Sequence, residues 1–308
     1  MSTRTRDKID ALAKTSADSG GTSLAVDALK RLSRNPVAIT GAVIVTLFML
    51  LAIFAPLIAP KDPYVRYLID EIRQGTPLGS RPGFPLGTDQ EGRDLLSRLI
   101  AASRQSLIVG VMATLIGLAV GMVMGTLSGA LGGWTDTILM RFTDVLLSIP
   151  SLLLAISIAA LAAKPGQWTI ITAVSIVSIP IFARLLRGSM LAQRGSDHVL
   201  AARALGVKER TIVFRHMLPN SLSPVIVLAT LTLATSILEA AALSFLGLGD
   251  QDPNRAEWGA MLGEASQRYF DVRPEMALWP GLAIVLVALG FTLLGESLRE
   301  ALDPKNRR

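Results

Sequence analysis

Long, largely charge-free runs of apolar residues constrain this chain more than any other feature. Six of them recur along its length: Val37–Pro60, Ser106–Leu131, about Thr137–Ala163, Trp168–Leu186, Ser221–Leu248 and Met276–Gly295. A bilayer core needs about 20 apolar residues in a helix to cross it, and within lipid only helices or closed barrels satisfy their own backbone. The runs therefore predict six transmembrane helices. The third and fifth are weaker, because Arg141 and Asp144 fall in one and Glu239 in the other. Half the chain is apolar (51%) and only 18% is charged, outside the habit of soluble domains.

Charge sets the expected orientation. Lys and Arg crowd the N-terminal tail, the polar loop between the fourth and fifth runs, and the C-terminus, while the remaining loops balance their cations with acids such as Asp62, Asp70, Glu71, Asp250 and Glu257. By the positive-inside rule both termini are cytoplasmic and the polar loop faces the cytoplasm. The net charge of +6 is explained by this flanking, so nucleic acid is not implied. Residues 1–35 read as a flexible tail, with Ala25–Leu32 as a short amphipathic helix at the membrane surface. The tail does not read as a signal peptide, because the first apolar run starts late and lacks a small-residue cleavage pattern. The chain has no cysteine, which excludes disulfides, thiol nucleophiles and cysteine metal sites. Its two histidines, His198 and His216, both lie in the polar loop. No Gly-x-x-x-x-Gly-Lys-Ser/Thr loop is present, so the chain does not bind ATP in that way.

The polar loop, HVLAARALGVKERTIVFRHMLPN over 198–220, reads as helix–glycine–helix. An amphipathic turn runs to Leu205, Gly206 stops it by adopting positive φ, and a second helical stretch covers Glu209–Met217 before Leu218-Pro219. The second run carries Gly117, Gly121, Gly125 and Gly129 every four residues, a bare face for close helix packing or, less favoured, for lining a pathway. Arg141 and Asp144 are three apart on one helix and are expected to pair with each other. Glu239 is an intramembrane charge that either lines the pathway or bonds a neighbouring helix. Pro150, Pro180 and Pro224 are expected to kink their helices.

Four blocks together carry a family resemblance. They are the polar loop; Pro85-Leu86-Gly87-Thr88-Asp89-Gln90-Glu91-Gly92-Arg93-Asp94-Leu95 before the second run; Ala241-Ala242-Leu243-Ser244-Phe245-Leu246-Gly247-Leu248-Gly249 followed by Glu257-Trp258-Gly259-Ala260-Met261-Leu262; and Leu294-Gly295-Glu296-Ser297-Leu298-Arg299-Glu300-Ala301-Leu302-Asp303-Pro304. In this order they resemble permease subunits of ATP-binding-cassette (ABC) importers of the dipeptide/oligopeptide/nickel family, of the second-subunit type. The resemblance covers about 35–304.

It implies an all-α integral membrane protein: six transmembrane helices in a type I importer permease bundle, domain 36–304, with a cytoplasmic coupling helix in the loop 197–219 and a short cytoplasmic end at 305–308. It also implies a homologous second permease subunit, two ATPase subunits carrying ATP and Mg, and an extracytoplasmic substrate-binding protein, with membrane lipid around the bundle and no cofactor or metal on this chain. In this reading Ala201, Ala202, Arg203, Gly206, Lys208, Arg210 and Pro219 couple to the ATPase, the cations meeting an acidic rim. Glu239, Gly117, Gly121 and Gly125 are pathway candidates, and Arg93, Trp258 and Gly259 are docking candidates for the binding protein. One departure stands out: the family's loop usually has glutamate before the alanine pair, and this chain has Leu200. The implied activity is import of di- or oligopeptides, with nickel or glutathione as alternatives. A gradient-driven secondary transporter is a different class that needs no such loop, and a membrane enzyme would need a catalytic cluster that the sequence lacks.

Overall fold

The computed structural model describes residues 29–72, 75–250 and 252–302. The tail expected over 1–35 lies outside them as far as residue 28, as does the end at 305–308. Among the described residues the structure is helical, and the only strand-like pairings are two isolated bridges, Arg81 with Phe84 and Thr88 with Asp94. In chain order the helices are α1 (Pro36–Ile58), α2 (Leu95–Leu131), α3 (Gly133–Leu147), α4 (Ser151–Ala160), α5 (Gln167–Arg194), α6 (Asp197–Ala204), α7 (Leu218–Phe245), α8 (Trp258–Arg268) and α9 (Glu275–Leu302). Five helical runs are long and apolar enough to cross a membrane, or six if the bent pair α3–α4 is one crossing. Their apolar residues are widely exposed on the outside of the bundle, Val43, Leu57, Val123 and Val285 among them, as lipid contact requires.

Each boundary has a local cause. Pro36 opens α1 at the first helical position, where its missing N–H costs nothing, and the Asn35 side chain accepts from Val37 N at 2.8 Å. Asp94 caps α2, its carboxylate accepting from Ser97 N at 2.9 Å and Ser97 Oγ at 2.6 Å. That cap starts α2 eleven residues earlier than the apolar run at Ser106, because its first turns pack inside the protein rather than in lipid. At about 1.5 Å per residue, its 37 residues reach roughly 55 Å, well beyond a bilayer core.

The third expected crossing is not one helix. α3 and α4 are bent by 90° about Ser148-Ile149-Pro150. Pro150 has no N–H to donate and clashes with the preceding turn, and two short apolar helices replace a single span over 137–163. The fifth differs in the other sense. The second helical stretch of the loop does not end at Leu218-Pro219 but runs on into α7. Between them Ile212–Met217 is a π-helical segment, with Leu218 N bonding back to Val213 O. Pro219, without an N–H, cannot close the regular ladder onto Arg215, and the bonds upstream slip by one residue.

Three apolar clusters hold the bundle. One lies under the segment joining α1 to α2, where α1, α2, α7, α8 and α9 meet around Trp258, with Phe48 packed edge-on at 5.5 Å. A second joins the middle of α2 to α4, the first half of α5 and the end of α7. A third seats α6 and the π segment on α5 and α7.

Candidate functional site

The loop end of the bundle is a rigid, prebuilt unit. Val199 and Ala202 of α6 are buried against Phe182, Leu186 and Met190 of α5 and against Ile212, Val213 and Met217. Gly206 has φ +76, the left-handed conformation that ends a helix without a Cβ penalty. Around it Val207 N bonds Ala202 O at 3.1 Å and Gly206 N bonds Arg203 O at 3.0 Å, the paired closure of a Schellman turn. Arg203 then clamps the turn from outside, donating through Nε to Glu209 Oε1 at 2.6 Å and through Nη2 to Oε2 at 3.1 Å. Its guanidinium is thus held by this chain's own Glu209. Asn220 ties the start of α7 to His216 O at 2.7 Å, and Pro219 sits exposed in the first turn of α7.

The loop presents large apolar side chains outward among its charges. Leu205 is 84% exposed, Phe214 55% and Leu200 48%. Ala201 and Ala204 lie exposed beside them, and Lys208 and Arg210 at the margin. Of the expected coupling residues, Ala201, Gly206, Lys208 and Arg210 reach this surface and Ala202 supports it from beneath. The sequence reading missed Leu205, Phe214 and Glu209. Two large apolar side chains in the most polar loop of the chain were the available signal for the first two.

The glycine stripe is packing surface. A Cβ on Gly117 would stand 2.8 Å from Ser178 Cβ, one on Gly121 2.6 Å from Phe182 Cβ, and one on Gly125 2.7 Å from Ala183 O. All three glycines are buried against α5, so they line no pathway within this chain; their missing side chains let α2 and α5 touch backbone to backbone. Glu239 is half-buried and faces Ser151 at the start of α4, on a neighbouring helix. Asp144 does not rely on Arg141, whose Nη1 is 4.0 Å away. Its partner is Arg184 of α5, Nη2 to Oδ1 at 2.6 Å. A second pair joins the same helices, Arg187 Nε and Nη2 reaching Asp136 at 2.5 and 2.6 Å. Ser128 of α2 also donates to Asp136.

Arg93, Trp258 and Gly259 are buried, so they are not contact residues for a partner in this conformation. Arg93 is 3% exposed. Its Nε donates to Asp89 at 2.6 Å and its Nη1 to Pro253 O at 3.1 Å. Asp89 also faces Arg98 Nε at 3.2 Å. The two arginines and Asp89 thus staple the segment joining α1 to α2 onto the α7–α8 loop. The Pro85–Leu95 block turns at Gly87, φ +80, where a Cβ would meet Leu78 O at 2.3 Å. Trp258 donates Nε1 to Leu99 O at 3.0 Å and its N–H to Ser106 Oγ at 3.1 Å. Gly259 lies so close to α7 that a Cβ would be 2.5 Å from Ala241 O. Beside it Ser244 Oγ donates to Glu257 at 2.6 Å, and burial pushes the Glu257 carboxyl up to about 7.

Comparison with known proteins agrees with this geometry. Residues 117–308 match the family described as binding-protein-dependent transport system inner membrane component. Residues 23–75 match the N-terminal transmembrane domain of oligopeptide transport permease C. A dipeptide transport system permease protein of Alkalihalophilus pseudofirmus is 43% identical over 91% of this chain and 89% of its own. A glutathione transport system permease protein of Pectobacterium atrosepticum is 41% identical over 90% and 89%. Among solved structures, an inward-facing form of the MetNI methionine ABC transporter superposes with TM-score 0.56 at 17% identity, covering 68% of this chain and 98% of that one. An amino acid ABC transporter crystallised with histidines gives 0.51 at 16%, covering 65% and 91%. These two share the fold. Taken with the helix order and the loop at one end of the bundle, the matches show that this chain belongs to the binding-protein-dependent inner membrane component family, as a multi-pass permease subunit of an ABC importer of the dipeptide/oligopeptide/nickel type.

Proposed function

We propose that this subunit carries small peptides inward across the cytoplasmic membrane, and that the 197–219 loop is where ATP hydrolysis on partner subunits is converted into movement of its helices. The observation that carries the reading is the exposed apolar face of Leu200, Ala201, Leu205 and Phe214 on a loop that is otherwise locked to α5 and α7. An apolar patch on a polar, water-facing loop is stable when a partner covers it. A loop braced by a Schellman turn and the Arg203–Glu209 clamp transmits a push instead of absorbing it. In this reading both termini and the loop are cytoplasmic, as the distribution of Lys and Arg argues. ATP and Mg belong to two ATPase subunits, a homologous permease completes the pathway, and an extracytoplasmic binding protein delivers the substrate. Leu200, where the family usually has glutamate, extends the apolar face and calls for an apolar groove on the ATPase.

Peptide substrates follow from the dipeptide permease relative. Glutathione is the second reading, favoured by the glutathione permease relatives, one of them 43% identical; it is itself a tripeptide with free carboxylates and an ammonium group. The test is the assembled transporter in liposomes, with vanadate-sensitive ATP hydrolysis followed as binding protein is added with di- to pentapeptides, glutathione or Ni²⁺. Stimulation by peptides supports the reading. Stimulation only by glutathione or Ni²⁺ replaces the substrate, and a chain that purifies without ATPase subunits removes the coupling role.

A further inference from the structure

Two features of the membrane-embedded surface do not suit lipid. The first is charge: Arg141 is 81% exposed at its side chain, Asp144 48% and Arg184 53%, although all three lie on helices within the bundle. Asp144 is eleven residues along α3 and Arg184 ten residues before the end of α5, just inside the loop-side end of the span predicted over Trp168–Leu186. Charges within a span face water or protein unless they reach the headgroups. The second is the break between α3 and α4. Leu147 to Ser151 are all exposed, and non-helical backbone at membrane depth is tolerated only in protein or along a water-filled cavity. Arg184 and Leu147, the last residue of α3 before the break, line one open cavity of about 740 Å³ whose walls also include Gly188, Ser189, Pro224 and Leu228.

We propose that Arg184, Asp144 and the open break at 148–150 form the polar lining of the translocation pathway, and that the Arg184–Asp144 pair is the element that reads a zwitterionic substrate. Arg184 takes a carboxylate and Asp144 an ammonium group. A half-exposed pair is held weakly, so it opens at little cost, and a molecule carrying both charges replaces both partners at once. An apolar wall with one matched pair of charges then admits peptides regardless of side chain. The inference rests on the peptide reading for its substrate but not for its location.

The absence of cysteine makes the test direct. In the assembled transporter, Ser148→Cys and Gly188→Cys, the latter with open space around its Cβ, are exposed to a membrane-impermeant methanethiosulfonate. Val285→Cys, on the apolar outside of α9, is the reference. Reaction at least about tenfold faster at 148 and 188 supports the lining, and rates equal to that of Val285→Cys overturn it, whether lipid or the second permease covers the face. For recognition, uptake of alanyl-alanine and of its C-terminal amide is compared in Arg184→Gln, Arg184→Lys and wild type. The Gln variant should lose at least about tenfold on the free acid, the worth of one charge-assisted bond. It should lose less than about twofold on the amide, and Lys should restore part of the loss. Equal losses on both peptides make the pair structural and overturn the recognition role. Should the wild type carry no amide, retention of free-acid uptake in Arg184→Gln is the overturning result. If the wild type takes up neither peptide, the peptide reading fails while the cysteine pattern still reports on the lining.

Discussion

Gly206 shows how much one residue decides at the loop end. Its φ of +76 costs a β-branched residue about 1–2 kcal/mol, yet nothing lies within 4 Å of where its Cβ would be. Gly206→Val therefore strains the turn without a clash. It should leave membrane insertion intact while uptake per ATP hydrolysed falls severalfold in proteoliposomes; undiminished coupling would remove the loop from the mechanism. Glu257 is a different kind of residue-scale device. Burial holds its carboxyl protonated up to about 7 against an ordinary 4.5. As pH rises from 4.5 to 7 the unfolded chain ionises at this position while the folded chain does not, so folding loses stability across that window and levels off above it. Glu257→Gln keeps the partner for Ser244 and should flatten that slope, read as detergent-solubilised melting temperature at pH 5 and pH 8.

At the scale of elements, the contact of α2 with α5 is the tightest in the bundle because glycines face backbone along it. A methyl at Gly121 would stand 2.6 Å from Phe182 Cβ and 2.8 Å from Ile179 O, and the backbone atom cannot move aside. Gly121→Ala is expected to cost about 1–3 kcal/mol and to lower the melting temperature, while Ala at the open, helical Gly188 leaves it equal or raises it. The four-residue spacing was legible because a helix repeats its face nearly every four residues. What lies against that face was not, since Ser178, Phe182 and Ala183 come from another helix.

For the molecule as a whole, the exposed charged surface bearing Arg141, Asp144 and Arg184 is expected to need the homologous permease beside it. Produced without its homologous permease, it should be recovered from membranes at a small fraction of its co-expressed level, compared by quantitative blotting. Equal recovery would mean that lipid tolerates this face. The predicted spans at Val37–Pro60, Trp168–Leu186 and Met276–Gly295 appear as α1, α5 and α9 because length and hydropathy are sums over neighbouring residues. The single helix predicted over 137–163 does not appear, because whether Pro150 kinks a span or breaks it by 90° depends on what receives the two halves.

The sequence by itself determined the helical membrane class, the approximate spans and the turn at Gly206, all settled within a few residues by burial, chain geometry and backbone conformation. Only the tertiary structure decided partnerships. Arg93 and Trp258, which read as outward contacts, became buried staples through Asp89 and Leu99, and Asp144 found Arg184, forty residues away, in place of Arg141, three away. Such choices depend on which helices the fold brings side by side, and no local pattern of residues records that.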